Sequence, residues 1–170
     1  MSPPGRPKGE YRSAQHEGTP VSAPGRSQAL IPEPFKGEGT PVSASLRPAV
    51  ILDRDGVINR DRGYVHRTED FELLPAVVPA LRQLAAGGYV LAIVTNQSGL
   101  ARGLYSLADY ERLSRHMLTE LAREGVAIDG IEYCPHLPDA AVSAFRVDCG
   151  CRKPAPGMIL ALPDRLRLDL

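Results

Sequence analysis

Three apolar runs beyond residue 48 have the pattern of buried parallel strands. Residues 49–53 and 89–94 are almost continuously hydrophobic, and residues 126–133 form a third, weaker run. Near-continuous hydrophobicity is typical of strands that are covered on both faces. Parallel strands are joined by crossovers that usually contain a helix, so we expect helices between these runs.

Helical spacing of apolar residues is present in both intervening segments. The first pattern opens at Pro75 and ends at Gly87-Gly88; its apolar positions are Val77, Val78, Leu81 and Leu84. The second has Ser106 as the predicted N-cap and Asp109 at the third position, a variant of the capping box. It ends near Gly125, and its apolar face consists of Tyr110, Leu113, Met117 and Leu121. Together these elements predict an α/β fold, a Rossmann-like parallel sheet with helices on both faces.

Residues 1–48 have neither pattern. They contain nine of the 16 prolines, and the heptapeptide Glu-Gly-Thr-Pro-Val-Ser-Ala occurs twice, at 17–23 and 38–44. A segment this polar buries too little surface to offset its ordering entropy, so we expect a disordered tail before a domain at 49–170. A polyproline tail that binds a partner, or a start codon assigned too early, are alternatives that the sequence leaves open.

Composition and charge narrow the function. The net charge is zero over 170 residues, which argues against nucleic-acid binding. No apolar run approaches the roughly 18 residues of a membrane span, and the first residues lack the apolar stretch of a secretory signal. The three cysteines favour a reduced, cytoplasmic protein with a metal site over a disulfide framework. We expect a monomer that acts on a small molecule.

Polar residues follow the first two strands. Asp53 and Asp55 come at the end of the first run, and residues i and i+2 of an extended chain face the same side. Two close carboxylates repel each other unless a cation intervenes, and Mg²⁺ prefers such oxygen ligands; a solvated Asp-Gly turn has the same composition. Thr95-Asn-Gln-Ser-Gly99 follows the second run and suits a phosphate oxygen. Lys153, the only lysine beyond residue 48, is either a counter-charge for phosphate or an ordinary surface lysine.

All three cysteines lie close to one histidine in the sequence. Cys134-Pro-His136 is separated by twelve residues from Cys149-Gly-Cys151. Three thiolates and an imidazole match a closed tetrahedral Zn²⁺ site, which would be structural because it has no open position. The alternative is a set of buried free thiols.

Five ordered motifs resemble the haloacid dehalogenase superfamily, and more narrowly its zinc-containing histidinol-phosphate/heptose-bisphosphate phosphatase branch. They are Asp53-Arg-Asp-Gly-Val-Ile-Asn59, Thr95-Asn-Gln-Ser-Gly99, Cys134-Pro-His136, Cys149-Gly-Cys151 and Arg152-Lys-Pro154. The resemblance covers about residues 47–162. It implies a Mg²⁺-dependent phosphatase with a zinc-stapled loop that hydrolyses a sugar phosphate for heptose supply, with histidinol phosphate as the rival substrate.

The resemblance also implies roles for individual residues. Asp53 would be the nucleophile that forms an aspartyl-phosphate, and Asp55 the general acid and base. Mg²⁺ would bind the Asp53 carboxylate and the Asp55 carbonyl. Thr95 and Lys153 would hold the phosphoryl oxygens. Further candidates for substrate contact are Asn59, Asn96, Gln97, Arg102 and Arg152, the last for a second phosphate.

The sequence departs from the family pattern near its end. Family members continue to another strand that ends in G-D-x-x-x-D, whose aspartate completes the Mg²⁺ site, whereas this sequence stops at Leu168-Asp169-Leu170. We therefore expect a sheet without its last strand or strands, a metal site short of one carboxylate, and little turnover from these 170 residues. A truncated, non-catalytic homologue that binds only zinc and phosphate is the alternative.

Overall fold

The computed structural model describes residues 47–162 together with Leu166 and Leu168. Apart from Arg47 and Pro48, the predicted tail lies outside the described residues. The elements of the described part are strands β1 (Ala49–Leu52), β2 (Val90–Asn96) and β3 (Gly130–Cys134) and helices α1 (Val77–Ala86), α2 (Ser98–Ala101), α3 (Leu107–Arg123) and α4 (Gly157–Leu160). None of these helices is long and apolar enough to cross a membrane.

The three strands form one parallel sheet in the order β1-β2-β3. Side chains of the central strand alternate between the two faces of the sheet, and both faces are covered, so almost every residue of the strand is buried. Leu91 and Ile93 pack into a core with α1 and α3, whereas Val90 and Val94 pack into a second core with α4. The predicted Rossmann-like sheet with helices on both faces is confirmed.

Both long helices begin and end where the pattern predicts. The pattern that opens at Pro75 gives α1, which ends before Gly87-Gly88, where Gly88 has a φ of +82°. At the start of α3, the Ser106 hydroxyl accepts a hydrogen bond from the Asp109 amide at 3.2 Å, and the Asp109 carboxylate accepts one from the Ser106 amide at 2.9 Å. The predicted apolar face of α3 is buried.

The third strand differs from the prediction, because it begins at Gly130 rather than at Val126. Val126 and Ile128 are buried in the core as the pattern requires, but they precede the ladder. Asp129 takes the place of ladder pairing there: its amide donates to the carbonyl of Leu91 and its carboxylate accepts from the Leu91 amide at 2.9 Å. Alternating apolar residues therefore report burial at this position, not strand pairing.

Parallel strands bring their carboxyl ends to one edge of the sheet. Asp53 directly follows β1, Asn96 ends β2 and Cys134 ends β3. The backbone N–H of Gln97, just after β2, donates to the Cys134 carbonyl at 2.8 Å, so the loop that leaves β3 starts beside the end of β2. All the predicted chemistry lies at or near this edge.

Candidate active site and metal cluster

Asp53 and Lys153 are in direct contact, although they lie far apart in the sequence. The Lys153 Nζ lies 2.6 Å from the Asp53 Oδ2 and donates to the Val94 carbonyl at 3.1 Å. The other Asp53 oxygen accepts from the Arg54 amide at 2.7 Å. Because 42% of the Asp53 side chain is exposed, this carboxylate is both held in place and open to a ligand.

Asn96 holds the backbone of the same lysine. Its Oδ1 accepts from the Lys153 amide at 3.1 Å and its Nδ2 donates to the Lys153 carbonyl at 3.3 Å. The sequence predicted Asn96 as a phosphate or substrate contact. In the structure both polar atoms of its side chain are used by Lys153, so Asn96 fixes the segment that carries the ammonium group.

Asp55 is surrounded by hydrogen-bond donors. Arg54 Nε donates to its Oδ2 at 3.1 Å and Arg54 Nη2 to its Oδ1 at 2.9 Å. Asn59 Nδ2 donates at 3.1 Å and Gln97 Nε2 at 3.2 Å. Each aspartate thus has its own cation, Lys153 for Asp53 and Arg54 for Asp55, which removes the repulsion that two neighbouring carboxylates would otherwise have.

Arg54 is a site residue that sequence reasoning missed. Only 2% of its side chain is exposed, and it also donates to the Val65 carbonyl at 2.9 Å. The available signal was its position between two aspartates directly after an apolar run. Asn59, predicted as a substrate contact, is fully buried and supports Asp55 instead, so no surface of it is open to a substrate.

Thr95 and Gln97 form a buried pair behind the carboxylates. The Thr95 Oγ1 accepts from Gln97 Nε2 at 2.9 Å, and both side chains are almost fully buried. The Thr95 hydroxyl keeps its own hydrogen to donate. Tyr105, which no sequence pattern singled out, donates from its hydroxyl to the Gln97 Oε1 at 2.6 Å. Burial raises the pKa of Tyr105 to about 12.

A cavity of about 240 Å³ opens beside Asp55. Its walls include Asp61, Tyr64, Asn96 and Ser98. The two arginines predicted as substrate contacts are not part of its walls. Arg102 is an exposed residue that directly follows α2, and Arg152 is half-buried, with its Nη1 buried and without a hydrogen-bond partner in the described part of the chain.

The predicted zinc ligands come together in one cluster. Ligand atoms of Cys134, His136, Cys149 and Cys151 all lie within 4.8 Å of one another. The three sulfurs are 3.1 to 3.5 Å apart, and the His136 Nδ1 is 3.3 Å from the Cys151 sulfur. Zn–S bonds of about 2.3 Å would separate tetrahedral sulfurs by about 3.8 Å, so a small expansion admits the ion.

The chemistry of these four residues also fits zinc. Burial lowers the pKa of His136, which favours the neutral imidazole that binds metals. No open position remains in a set of four ligands, so the ion would hold the loop of residues 134–151 in place. That loop packs against the active-site side of the fold, where the Val142 amide donates to the Ala101 carbonyl at the end of α2.

A Mg²⁺ ion would find only oxygen ligands at the end of β1. The Asp53 carboxylate is partly exposed, and no hydrogen bond in the described part of the chain uses the Asp55 carbonyl. One carboxylate and one carbonyl are the hard ligands that Mg²⁺ takes together with water and phosphate oxygens. The residues present therefore fit this ion.

Comparison with known proteins gives a consistent family. A family model described as polynucleotide kinase 3 phosphatase matches residues 50–169. The D-glycero-beta-D-manno-heptose-1,7-bisphosphate 7-phosphatase of Escherichia coli K12 is 50% identical over 123 residues, which are 72% of this chain and 64% of that protein. The Vibrio cholerae protein of the same name is 47% identical over 124 residues, 73% of this chain and 67% of its own.

Solved structures share the fold. A Mesorhizobium loti protein described as a HAD-like phosphatase matches with a TM-score of 0.70 and 34% identity, over 77% of this chain and 63% of that one. The D,D-heptose 1,7-bisphosphate phosphatase of B. bronchiseptica, solved with magnesium and phosphate, matches with a TM-score of 0.63 and 38% identity, over 72% and 65%. This chain thus spans about 64% of the length of the first curated relatives it matches.

Proposed function

This chain belongs to the HAD-like phosphatase family whose model is described as polynucleotide kinase 3 phosphatase, and on that premise we propose a specific substrate. It is the 7-phosphate of D-glycero-D-manno-heptose 1,7-bisphosphate, removed by a Mg²⁺-dependent reaction. The observation that carries the proposal is the 2.6 Å contact between Asp53 and Lys153 at the exposed end of β1. The relatives named for this activity, at 50% and 47% identity, support the choice of substrate.

The geometry supports a two-step mechanism. In the first step an oxygen of Asp53 forms a bond to phosphorus, the bond from phosphorus to the sugar oxygen breaks, and that oxygen takes a proton from Asp55. In the second step water attacks the aspartyl-phosphate and gives its proton to Asp55, which releases phosphate and restores Asp53. The four donors around Asp55 orient its carboxyl group for both transfers.

Two positively charged groups stabilise the phosphoryl group in this scheme. Lys153 reaches Asp53 directly, so a phosphoryl group on Asp53 would lie beside its ammonium. The Thr95 Oγ1 accepts from Gln97 Nε2, and in this scheme its own hydrogen would be donated to a phosphoryl oxygen. Mg²⁺, held by the Asp53 carboxylate and the Asp55 carbonyl, would supply the second positive charge.

The cavity beside Asp55 supports a sugar as the leaving group. Asp61 and Ser98 offer hydrogen-bond partners to hydroxyl groups, and the Tyr64 ring offers an apolar surface. The cavity lies next to the proposed general acid, where the leaving oxygen must be. A cytoplasmic location is supported by three reduced cysteines gathered around a metal position; a monomeric state stays a prediction.

Phosphate release tests the proposed substrate. The 170-residue chain with Mg²⁺ is offered heptose 1,7-bisphosphate, histidinol phosphate and a 3′-phosphorylated oligonucleotide. We expect release from the heptose bisphosphate alone, one phosphate per sugar, and its loss in Asp53→Asn. Faster release from histidinol phosphate or the oligonucleotide would contradict the proposed substrate.

A further inference from the structure

A buried tyrosine is connected to Asp55 and Thr95 through one side-chain amide. The Tyr105 hydroxyl donates to the Gln97 Oε1 at 2.6 Å, and the Gln97 Nε2 donates to Asp55 at 3.2 Å and to Thr95 at 2.9 Å. Tyr105 itself touches neither Asp55 nor Thr95 through a hydrogen bond. Among the hydrogen bonds of the described residues, the connection from Tyr105 to Asp55 and Thr95 therefore runs through Gln97.

The orientation of the Gln97 amide decides what Asp55 meets. The amide has an oxygen that only accepts and a nitrogen that only donates. With its oxygen bound to the Tyr105 hydroxyl, its nitrogen points at Asp55 and Thr95. The reverse orientation would place a carbonyl oxygen against the Asp55 carboxylate. A donor at the Tyr105 position thus stabilises the orientation that the site needs.

Neighbouring residues confine the Tyr105 ring on two sides. A Cβ at Gly99 would lie 2.1 Å from the ring Cε1 and 2.6 Å from Cζ, so only glycine leaves room on that side. On another side the His66 ring stacks on Tyr105, with centroids 5.0 Å apart and planes inclined by 9°. Two residues from different segments therefore fix where the hydroxyl lies.

The hydroxyl also stays a donor under ordinary conditions. Tyr105 is 8% exposed, and burial raises its pKa to about 12. A phenol with that pKa is protonated throughout the neutral range. The hydrogen that orients Gln97 is therefore present whenever the protein is active.

We propose that Tyr105 is a positioning residue of this site, which fixes the Gln97 amide so that Asp55 and Thr95 are held in their reactive arrangement. This inference rests on the proposed phosphatase function. The alternative is an ordinary core tyrosine whose hydroxyl has no consequence for the reaction. Tyr105→Phe distinguishes these two roles, because it keeps the ring in the same position and removes only the hydroxyl.

The kinetic test compares Tyr105→Phe with Tyr110→Phe. Tyr110 is also buried and lies in the same apolar cluster, so the loss of its hydroxyl is the matched control. We expect Tyr105→Phe to lower kcat about 10-fold, as loss of one hydrogen bond to the site would, with KM changed less than about twofold. Tyr110→Phe should leave both constants near wild type, and Tm should fall no further in Tyr105→Phe than in the control.

A spectroscopic readout keeps this inference separate from the proposed function. The side-chain amide resonances of Gln97, identified by their loss in Gln97→Met, should shift in Tyr105→Phe and remain unchanged in Tyr110→Phe. Unchanged Gln97 resonances in Tyr105→Phe would overturn the inference, as would an unchanged kcat in an active chain. If the wild-type chain releases no phosphate, the proposed function fails, and the resonances alone decide the role of Tyr105.

Discussion

Asn96 and Lys153 are joined by two hydrogen bonds that together fix the backbone of the lysine. The asparagine amide accepts from the Lys153 N–H at 3.1 Å and donates to the Lys153 carbonyl at 3.3 Å. Asn96, at the end of the central strand, thereby holds a residue that lies two positions after Cys151, the last predicted zinc ligand. The position of the Lys153 ammonium beside Asp53 depends on this connection as well as on the ammonium's own contacts.

Asn96→Asp tests the importance of this two-point contact. The substitution keeps an acceptor for the Lys153 N–H but places a second acceptor against the Lys153 carbonyl, where a donor is required. We expect the free energy of unfolding to fall by about 1–3 kcal/mol and phosphate release to fall about 10-fold. The exposed Gln83→Glu on α1 makes the same chemical change away from the site and should shift stability by less than about 0.5 kcal/mol. Equal effects of the two variants would contradict the prediction.

Gly99→Ala tests whether the Tyr105 ring is confined by Gly99. Alanine is the better helix former by about 1 kcal/mol, yet its Cβ would lie 2.1 Å from the ring. We expect a net loss of about 1–3 kcal/mol in the free energy of unfolding, measured in urea. Gly150→Ala is the matched control because a Cβ there meets nothing within 4 Å. A Gly99→Ala variant as stable as wild type would show that the ring is not confined.

Much of the site was predictable because its residues occupy special positions in the sequence. Asp53 and Thr95 each follow or end a run of apolar strand residues, and Lys153 is the one lysine beyond residue 48. Parallel topology then brings the ends of the strands to one edge. The cluster of three cysteines and His136 was predictable from residue type alone, because all four side chains are zinc ligands whatever fold the loop between them adopts.

Other parts of the site depend on packing that no local pattern records. The Tyr105 ring lies against Gly99 on one side and His66 on another, and His66 comes from the loop after β1, a distant part of the sequence. Asn59 has a polar side chain that is typical of a surface loop, but it is fully buried against Asp55. In both cases tertiary contacts, not sequence period, decide the function of the side chain.

Removal of zinc should loosen the loop of residues 134–151 and the segment after it that carries Lys153. Cys151 lies two residues before Lys153, so release of the ligand cluster should free the segment that carries the ammonium. We expect purified protein to hold about one Zn²⁺ per chain, and Cys149→Ser or chelation to lower Tm, phosphate release and resistance of residues 134–153 to protease. Ser143→Ala, exposed in the same loop, is the control and should change none of these. Well under one Zn²⁺ per folded chain would refute the assignment of the cluster.

The raised pKa of Tyr105 predicts a specific loss of stability at alkaline pH. Burial is the main cause of the rise to about 12, from an ordinary value of 10, and the nearby charge of Arg54 opposes it. The folded state therefore keeps a proton that the unfolded state releases, so this contribution is complete below pH 10 and is lost as the pH rises towards 12. We expect the stability of wild type relative to Tyr105→Phe to be constant up to about pH 9. Above pH 10 it should then fall by up to about 1.4 kcal/mol per pH unit. Urea unfolding of both proteins at each pH measures this difference, in which the other titrating groups cancel. A difference that stays constant up to pH 12 would show that the Tyr105 phenol ionises equally easily in the folded and unfolded states.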